Sequence, residues 1–204
     1  KSDCPEVIAL LRELPRLVKT CTEPLTAQAV GNMLYGLQSM KSDSPEVKAL
    51  LREVPRLVMT CSEPIRAQNV GNMLYGLQGM KSDCPEVIAL LRELPRLVKT
   101  CSEPLKAQAV GNMLYGLQGM KSDSPEVKAL LRELPRLVKT CTEPLTAQAV
   151  GNMLYGLQDM KSDSPEVRAL LRELPRLVKT CYEPLKAKRS HDALWLERLK
   201  EGLS

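Results

Sequence analysis

The chain contains no phenylalanine, one tryptophan, five tyrosines and one histidine. Without Phe, an interior has to be assembled from Leu, Val, Ala, Met and Cys. That palette suits packed helices better than sheets, whose strands favour aromatic and β-branched residues. With His191 as the single imidazole and no C-x-x-C pair, a zinc site has little to build on. No nucleophile–base pair, acid pair or metal cluster recurs, so neither an enzyme nor a cofactor nor a small-molecule substrate is expected. Long hydrophobic runs are missing as well, and no signal peptide is visible; no membrane association is expected.

An excess of one charge is also lacking. The formal net charge is +5, and each of the first four 40-residue blocks lies within one charge of neutral. The remainder, from residue 161, carries +3, with Lys186, Lys188, Arg189, Arg198 and Lys200 gathered late. This describes a mixed-charge surface rather than a polycation. Of seven cysteines, Cys21, Cys61, Cys101, Cys141 and Cys181 are evenly spaced, and Cys4 and Cys84 complete the set. An odd number, mostly in register, predicts buried free thiols in a reducing, intracellular compartment: cytoplasm or organelle interior.

What is present is repetition. Lys1-Ser2-Asp3-Cys4-Pro5-Glu6-Val7 returns with small changes at Lys41, Lys81, Lys121 and Lys161, and Met40, Met80, Met120 and Met160 close the copies. The period is 40 residues without insertions. Such a period is the mark of an all-α solenoid of stacked helical hairpins, in which each unit packs only on its neighbours. The organisation reads as tandem copies over 1–189 (1–40, 41–80, 81–120, 121–160 and a partial 161–189). A C-terminal capping helix is expected over 190–204. Positions within a copy are numbered below as in the first copy.

Two helical segments fit each copy. In the first, Val7, Leu10, Leu11, Leu14, Leu17, Val18 and Cys21 form one apolar face at helical spacing. Asp3 is the expected capping side chain, followed by Pro5 in the first turn and Glu6 at the positive end of the helix dipole. Pro15 recurs as Pro55, Pro95, Pro135 and Pro175. In a helix interior it costs about 3 kcal/mol, so a kink or break is expected between Leu14 and Pro15. The second segment starts between Thr22 and Thr26 and ends near Gln38. Ala27, Val30, Gly31, Leu34 and Leu37 form its apolar face. Residues 27–38 and their counterparts in the next three copies carry no charge, which predicts the inner layer.

This second segment has a polar side. Gln28, Asn32, Tyr35 and Ser39 share a face, and the stripe recurs as Gln68, Asn72, Tyr75, as Gln108, Asn112, Tyr115, and as Gln148, Asn152, Tyr155. Either these amides satisfy the backbone and one another between copies, or they form a ligand surface that hydrogen-bonds and stacks on bases. Beside the stripe the copies differ. Position 26 reads Thr26, Arg66, Lys106, Thr146 and Lys186; position 29 reads Ala29, Asn69, Ala109, Ala149 and Arg189; position 22 reads Thr22, Ser62, Ser102, Thr142 and Tyr182. Variation beside a constant stripe is what a modular code predicts, and drift at exposed sites predicts the same. Thr26 is able to cap the second helix, whereas Arg66 and Lys106 are not. Either Thr22 and Ser62 cap it, or capping is given up at position 26.

The segment Gln28-Ala29-Val30-Gly31-Asn32-Met33-Leu34-Tyr35-Gly36-Leu37 resembles the Q-x-L-x-N-x-L-W-A-L motif of octotricopeptide repeats. Pro5-Glu6-Val7-Ile8-Ala9-Leu10-Leu11 is similar to that family's other helix, and Asp192-Ala193-Leu194-Trp195 echoes its Leu-Trp pair. The resemblance implies a helix-pair solenoid that binds single-stranded RNA on its concave face, about one nucleotide per copy. Positions 26 and 29 would then select the base, and Gln28, Asn32 and Tyr35 would hold or stack it. Arg66, Lys106 and Lys186 would meet phosphate or a base edge. The competing expectation is a scaffold for a protein partner. The near-identity of the copies also permits a consensus-style engineered array.

Overall fold

The computed structural model describes residues 4–182, and among them are nine helices and no strand. Each copy opens with a longer helix: α1 (Pro5–Thr20), α3 (Pro45–Thr60), α5 (Pro85–Thr100), α7 (Pro125–Thr140) and α9 (Pro165–Val178). A shorter one follows in the first four copies: α2 (Ala27–Gly36), α4 (Ala67–Tyr75), α6 (Ala107–Tyr115) and α8 (Ala147–Leu157). Each odd-numbered helix packs on the next odd one, and each even-numbered helix on the next even one. The result is an α-solenoid of two layers. Lys186, Arg189 and the cap expected over 190–204 lie outside the described residues.

The first layer is held by the apolar face. In α3, α5 and α7 the residues at positions 7, 10, 11, 14, 17 and 18 are all buried. That burial overrides the break expected at proline, because α1, α3, α5 and α7 each run unbroken through it. The physical reason is that the buried face continues on both sides of the ring. In α5, Leu90 and Leu91 lie before Pro95, and Leu97 and Val98 after it, all buried. At about 1.5–3 kcal/mol per buried side chain, that face outweighs one lost hydrogen bond.

The capping expected of Asp3 is also corrected where its counterparts are described. The N-caps are Ser44, Cys84, Ser124 and Ser164, without a side-chain cap bond. Asp43, Asp83 and Asp123 instead accept from the lysine of the following copy, Lys81, Lys121 and Lys161, at 2.6–2.9 Å.

That exchange is one of several in which a charge is used between copies. Arg12, Arg52, Arg92 and Arg132 pair with Glu46, Glu86, Glu126 and Glu166 of the next copy at 2.9–3.2 Å. Arg56, Arg96, Arg136 and Arg176 reach back and donate to the last carbonyls of the preceding long helix. Arg136, for example, bonds Val98 O at 2.6 Å and Cys101 O at 2.9 Å. Carbonyls at a helix C-terminus have no partner within the helix, and a guanidinium suits both their geometry and the negative end of the dipole.

In the second layer the helices touch through backbone. A Cβ on Gly71 would lie 3.0 Å from the Ala109 Cα, and one on Gly111 would lie 2.9 Å from the Ala149 Cα. On Gly76, Gly116 and Gly156 it would run into the carbonyl of Leu34, Leu74 and Leu114. The long helices, by contrast, are separated by Leu and Val side chains. The uncharged short helices therefore approach one another backbone to backbone.

Candidate functional site

Position 26 is the N-cap of every short helix, in Thr26, Arg66, Lys106 and Thr146 alike. Thr26 and Thr146 accept from the amides of Ala29 and Ala149 at 3.1 Å. Arg66 and Lys106 make no cap bond. Their helices keep a cap because the next copy supplies one. Glu63, Glu103 and Glu143 accept from the first amides, Ala27, Ala67 and Ala107, at 2.9–3.1 Å. Thr60, Thr100, Thr140 and Thr180 accept from the amides at position 25 at 3.0–3.1 Å. Position 26 is thereby released from capping, and all four of its side chains are exposed. Thr22, Ser62, Ser102 and Thr142 are exposed and do not cap. The constant glutamate at position 23 was the available signal for this arrangement, since no other carboxylate in the loop returns in every copy.

Position 29 lies elsewhere. Asn69, Ala109 and Ala149 are buried, and Ala29 is half-buried. Asn69 is pressed against Gly31, Ala109 against Gly71 and Ala149 against Gly111. The three buried residues sit in the seam between short helices. Position 29, expected to select a base, thus varies where its side chains pack against the glycine of the preceding copy.

The amide stripe is a surface. Gln28, Gln68, Gln108 and Gln148 are exposed, as is Asn32, while Asn72, Asn112 and Asn152 are half-buried. None of these eight side chains has a hydrogen-bond partner among the described residues. The bonds between copies occur further along, where Gln38 Nε2 donates to the Tyr75 hydroxyl and Ser39 Oγ to Gln78 Oε1, both at 3.4 Å.

The tyrosines form a column. Tyr35 stacks on Tyr75 at 5.6 Å between ring centroids, Tyr75 on Tyr115 at 5.0 Å, and Tyr115 on Tyr155 at 5.2 Å, with interplanar angles of 19–23°. A base inserted between two rings needs two stacking separations of about 3.4 Å, roughly 7 Å in all. The column is therefore closed, and the inner rings present edges and hydroxyls. Burial, with a smaller contribution from Tyr35, pushes the Tyr75 hydroxyl above its usual range and keeps its proton in place.

The face is accordingly neutral. Two rows of amides run along it, a phenolic ridge stands beside them, and among the described residues its cations stand at the edge, in Arg66 and Lys106. Cys61, Cys84, Cys101 and Cys141 are buried away from it, and burial pushes the thiols of Cys101 and Cys141 up. Among the described residues no group of three His, Cys, Asp or Glu is placed to hold a metal ion, and no helix is long and apolar enough to cross a membrane. No family model, curated protein or solved structure matches the chain.

Proposed function

We propose that the protein is a non-catalytic scaffold that binds an extended polypeptide along the exposed face of the short helices. The observation that carries this reading is the double row of unpaired amides on an uncharged surface. A side-chain amide offers donors and an acceptor together, which complements the N–H and C=O of a main chain in extended form. Adjacent copies stand 5.0–5.6 Å apart at the tyrosines, between one and two residues of extended chain at about 3.3 Å each. A phosphate backbone, by contrast, calls for cations, and nucleic-acid affinity comes largely from them. Most repeated cations here are already engaged between copies.

Single-stranded RNA is the competing ligand, favoured by the octotricopeptide resemblance and by the exposed Arg66 and Lys106. One comparison separates the two. A displayed library of random peptides is panned on the protein, and fluorescein-labelled random-sequence RNA is titrated in parallel. The expected result is selected peptides whose affinity falls about tenfold in Asn72→Ala/Asn112→Ala, with little change between about 50 and 200 mM salt. RNA binding that is tight at low salt and falls steeply and log-linearly with salt would overturn the polypeptide reading.

A further inference from the structure

One seam of the second layer differs from the next two. Between α2 and α4 it holds the side chain of Asn69, where the following seams hold only the methyl groups of Ala109 and Ala149. A Cβ on Gly31 would lie 3.4 Å from the Asn69 Cα, against 3.0 Å from Gly71 to the Ala109 Cα and 2.9 Å from Gly111 to the Ala149 Cα. The tyrosines repeat the difference: their centroids are 5.6 Å apart across this seam, and 5.0 and 5.2 Å apart across the next two. The longer side chain wedges the two short helices slightly apart.

Asn69 is 8% exposed, and its side-chain amide has no hydrogen-bond partner among the described residues. An amide in that position is costly if it is sealed from water. It is not sealed, because among the described residues no fully buried side-chain nitrogen or oxygen lacks a partner. The small exposed part of Asn69 therefore includes its amide. The opening is away from the core, since Val70 and Met73 on the core side are 0% exposed. Three residues to either side, along the same edge of α4, stand the exposed Arg66 and the half-buried Asn72.

A second unmet donor lies beside the first. In α2 and α8 a threonine at position 26 accepts from the amide at position 29. In α4 Arg66 stands at that place and caps nothing, so the Asn69 main-chain N–H lacks this acceptor. Glu103 takes only the earlier amide, that of Ala67, at 3.0 Å. Arg66 has no ion-pair partner among the described residues. The first turn of α4 thus carries an unpaired guanidinium, main-chain N–H and side-chain amide at the positive end of the helix dipole. A carboxylate, planar and acceptor-only, is the group that such donors suit. The next copy has the charge of Lys106 but Ala109 in place of the amide, and Thr146 with Ala149 has neither.

We infer, resting on the polypeptide reading of this face, that the seam between α2 and α4 receives the carboxylate of an aspartate or glutamate in the bound chain. Arg66 meets its charge, and the two donors of Asn69 hold its oxygens. The consequence is register. The copies are otherwise nearly alike, so a chain held by the amide rows alone would fit as well one copy along. An acidic side chain anchored at Arg66 and Asn69 fixes which residue of the chain lies against which copy.

Peptides panned from a random library on the intact protein are expected to carry an acidic residue at one fixed position. Replacing that residue by its amide, Asp by Asn or Glu by Gln, is expected to weaken binding about tenfold. The variant Arg66→Thr/Asn69→Ala has the pair already present as Thr26 with Ala29 and as Thr146 with Ala149, so it keeps the fold. It is expected to bind the acidic peptide about tenfold more weakly and no longer to distinguish it from the amide form. Asn69→Ala alone is expected to lose about threefold. Selected peptides without a fixed acid overturn the assignment and leave the scaffold reading standing. So does an acid whose neutralisation costs the variant as much as the wild type, or an Asn69→Ala protein that binds like the wild type. Panning that yields no peptide overturns both. Random-sequence RNA whose binding is weakened by Arg66→Thr/Asn69→Ala would put phosphate in the seam and overturn the carboxylate.

Discussion

Helices α1 and α5 have the same sixteen residues, yet one residue of α1 is buried and six of α5 are. Nothing local distinguishes them. What differs is a neighbour: α5 lies between α3 and α7, whereas α1 has α3 on one side only. The pair shows how a solenoid divides its stability. The sequence of a copy makes a helix with a sticky face, and the adjacent copy determines whether that face is worth anything. The same contrast holds at the glycines, the leucines and the arginines, and each offers a paired substitution in which one position serves as the control for another.

Glycine gives the largest contrast. Gly36 has open space where a Cβ would stand, whereas a Cβ on Gly76 meets the backbone of Leu34. A backbone cannot move aside as a side chain tip can. Gly76→Ala is expected to cost about 4 kcal/mol or more, by forcing α2 and α4 apart. Gly36→Ala is expected to be neutral or to stabilise by up to about 1 kcal/mol through helix propensity. Urea denaturation followed by circular dichroism measures both, and equal losses would show that the close approach of the short helices is not what the glycines serve.

Next come the leucines. Leu97→Ala removes a fully buried side chain and is expected to cost about 3 kcal/mol. Leu17→Ala alters the same position on an open face and is expected to cost less than about 0.5 kcal/mol in dilute solution. A similar loss at both would mean that the face of α1 is covered in the single molecule. The arginine pair is smaller again. Arg96 donates to Val58 O and Cys61 O at 3.1 Å, partly screened by solvent. Its removal as Arg96→Ala is expected to cost about 1–2 kcal/mol, against almost nothing for Arg16→Ala. Hydrogen exchange at the C-terminus of α3 reports the local effect of Arg96→Ala.

The two-layer fold was legible because both of its signals are periodic: the 40-residue repeat and the apolar face within each segment. The helix start at Pro5 was readable for the same reason. Three features were not. Continuity through Pro55 depends on burial on both sides of the ring, which a local penalty does not register. The true cap of Ala67 is Glu103, which lies in the next copy, and capping rules look only along the chain. Asn69 looked like a code letter because it varies, yet it varies in a seam. The amide stripe was visible as a stripe, but the closure of the tyrosine column depends on the distance between copies, which composition does not carry.

Titration of the seam carboxylates should give the smallest effect, and its sign can be worked out. The ammonium groups of Lys81, Lys121 and Lys161 hold Asp43, Asp83 and Asp123 below the usual carboxylate range, first by hydrogen bonding and then by charge. Asp43 and Asp123 in turn raise Lys81 and Lys161. A lowered acid contributes stability above its unfolded value, near pH 4, and loses it as pH falls through the folded value. A raised lysine contributes below its unfolded value, about 10.4, and loses that as pH rises through the folded one. The urea midpoint should therefore be level from about pH 5 to 9 and fall on the acid side. These groups are open to water, so the fall from each pair is slight and shrinks in high salt. Asp83→Asn should make the acid limb shallower while leaving the neutral plateau nearly in place. An acid limb unchanged by that substitution would place the pH sensitivity elsewhere, at the Glu86 and Glu126 row that meets arginine, and would leave the lysine–aspartate exchange without a part in joining the copies.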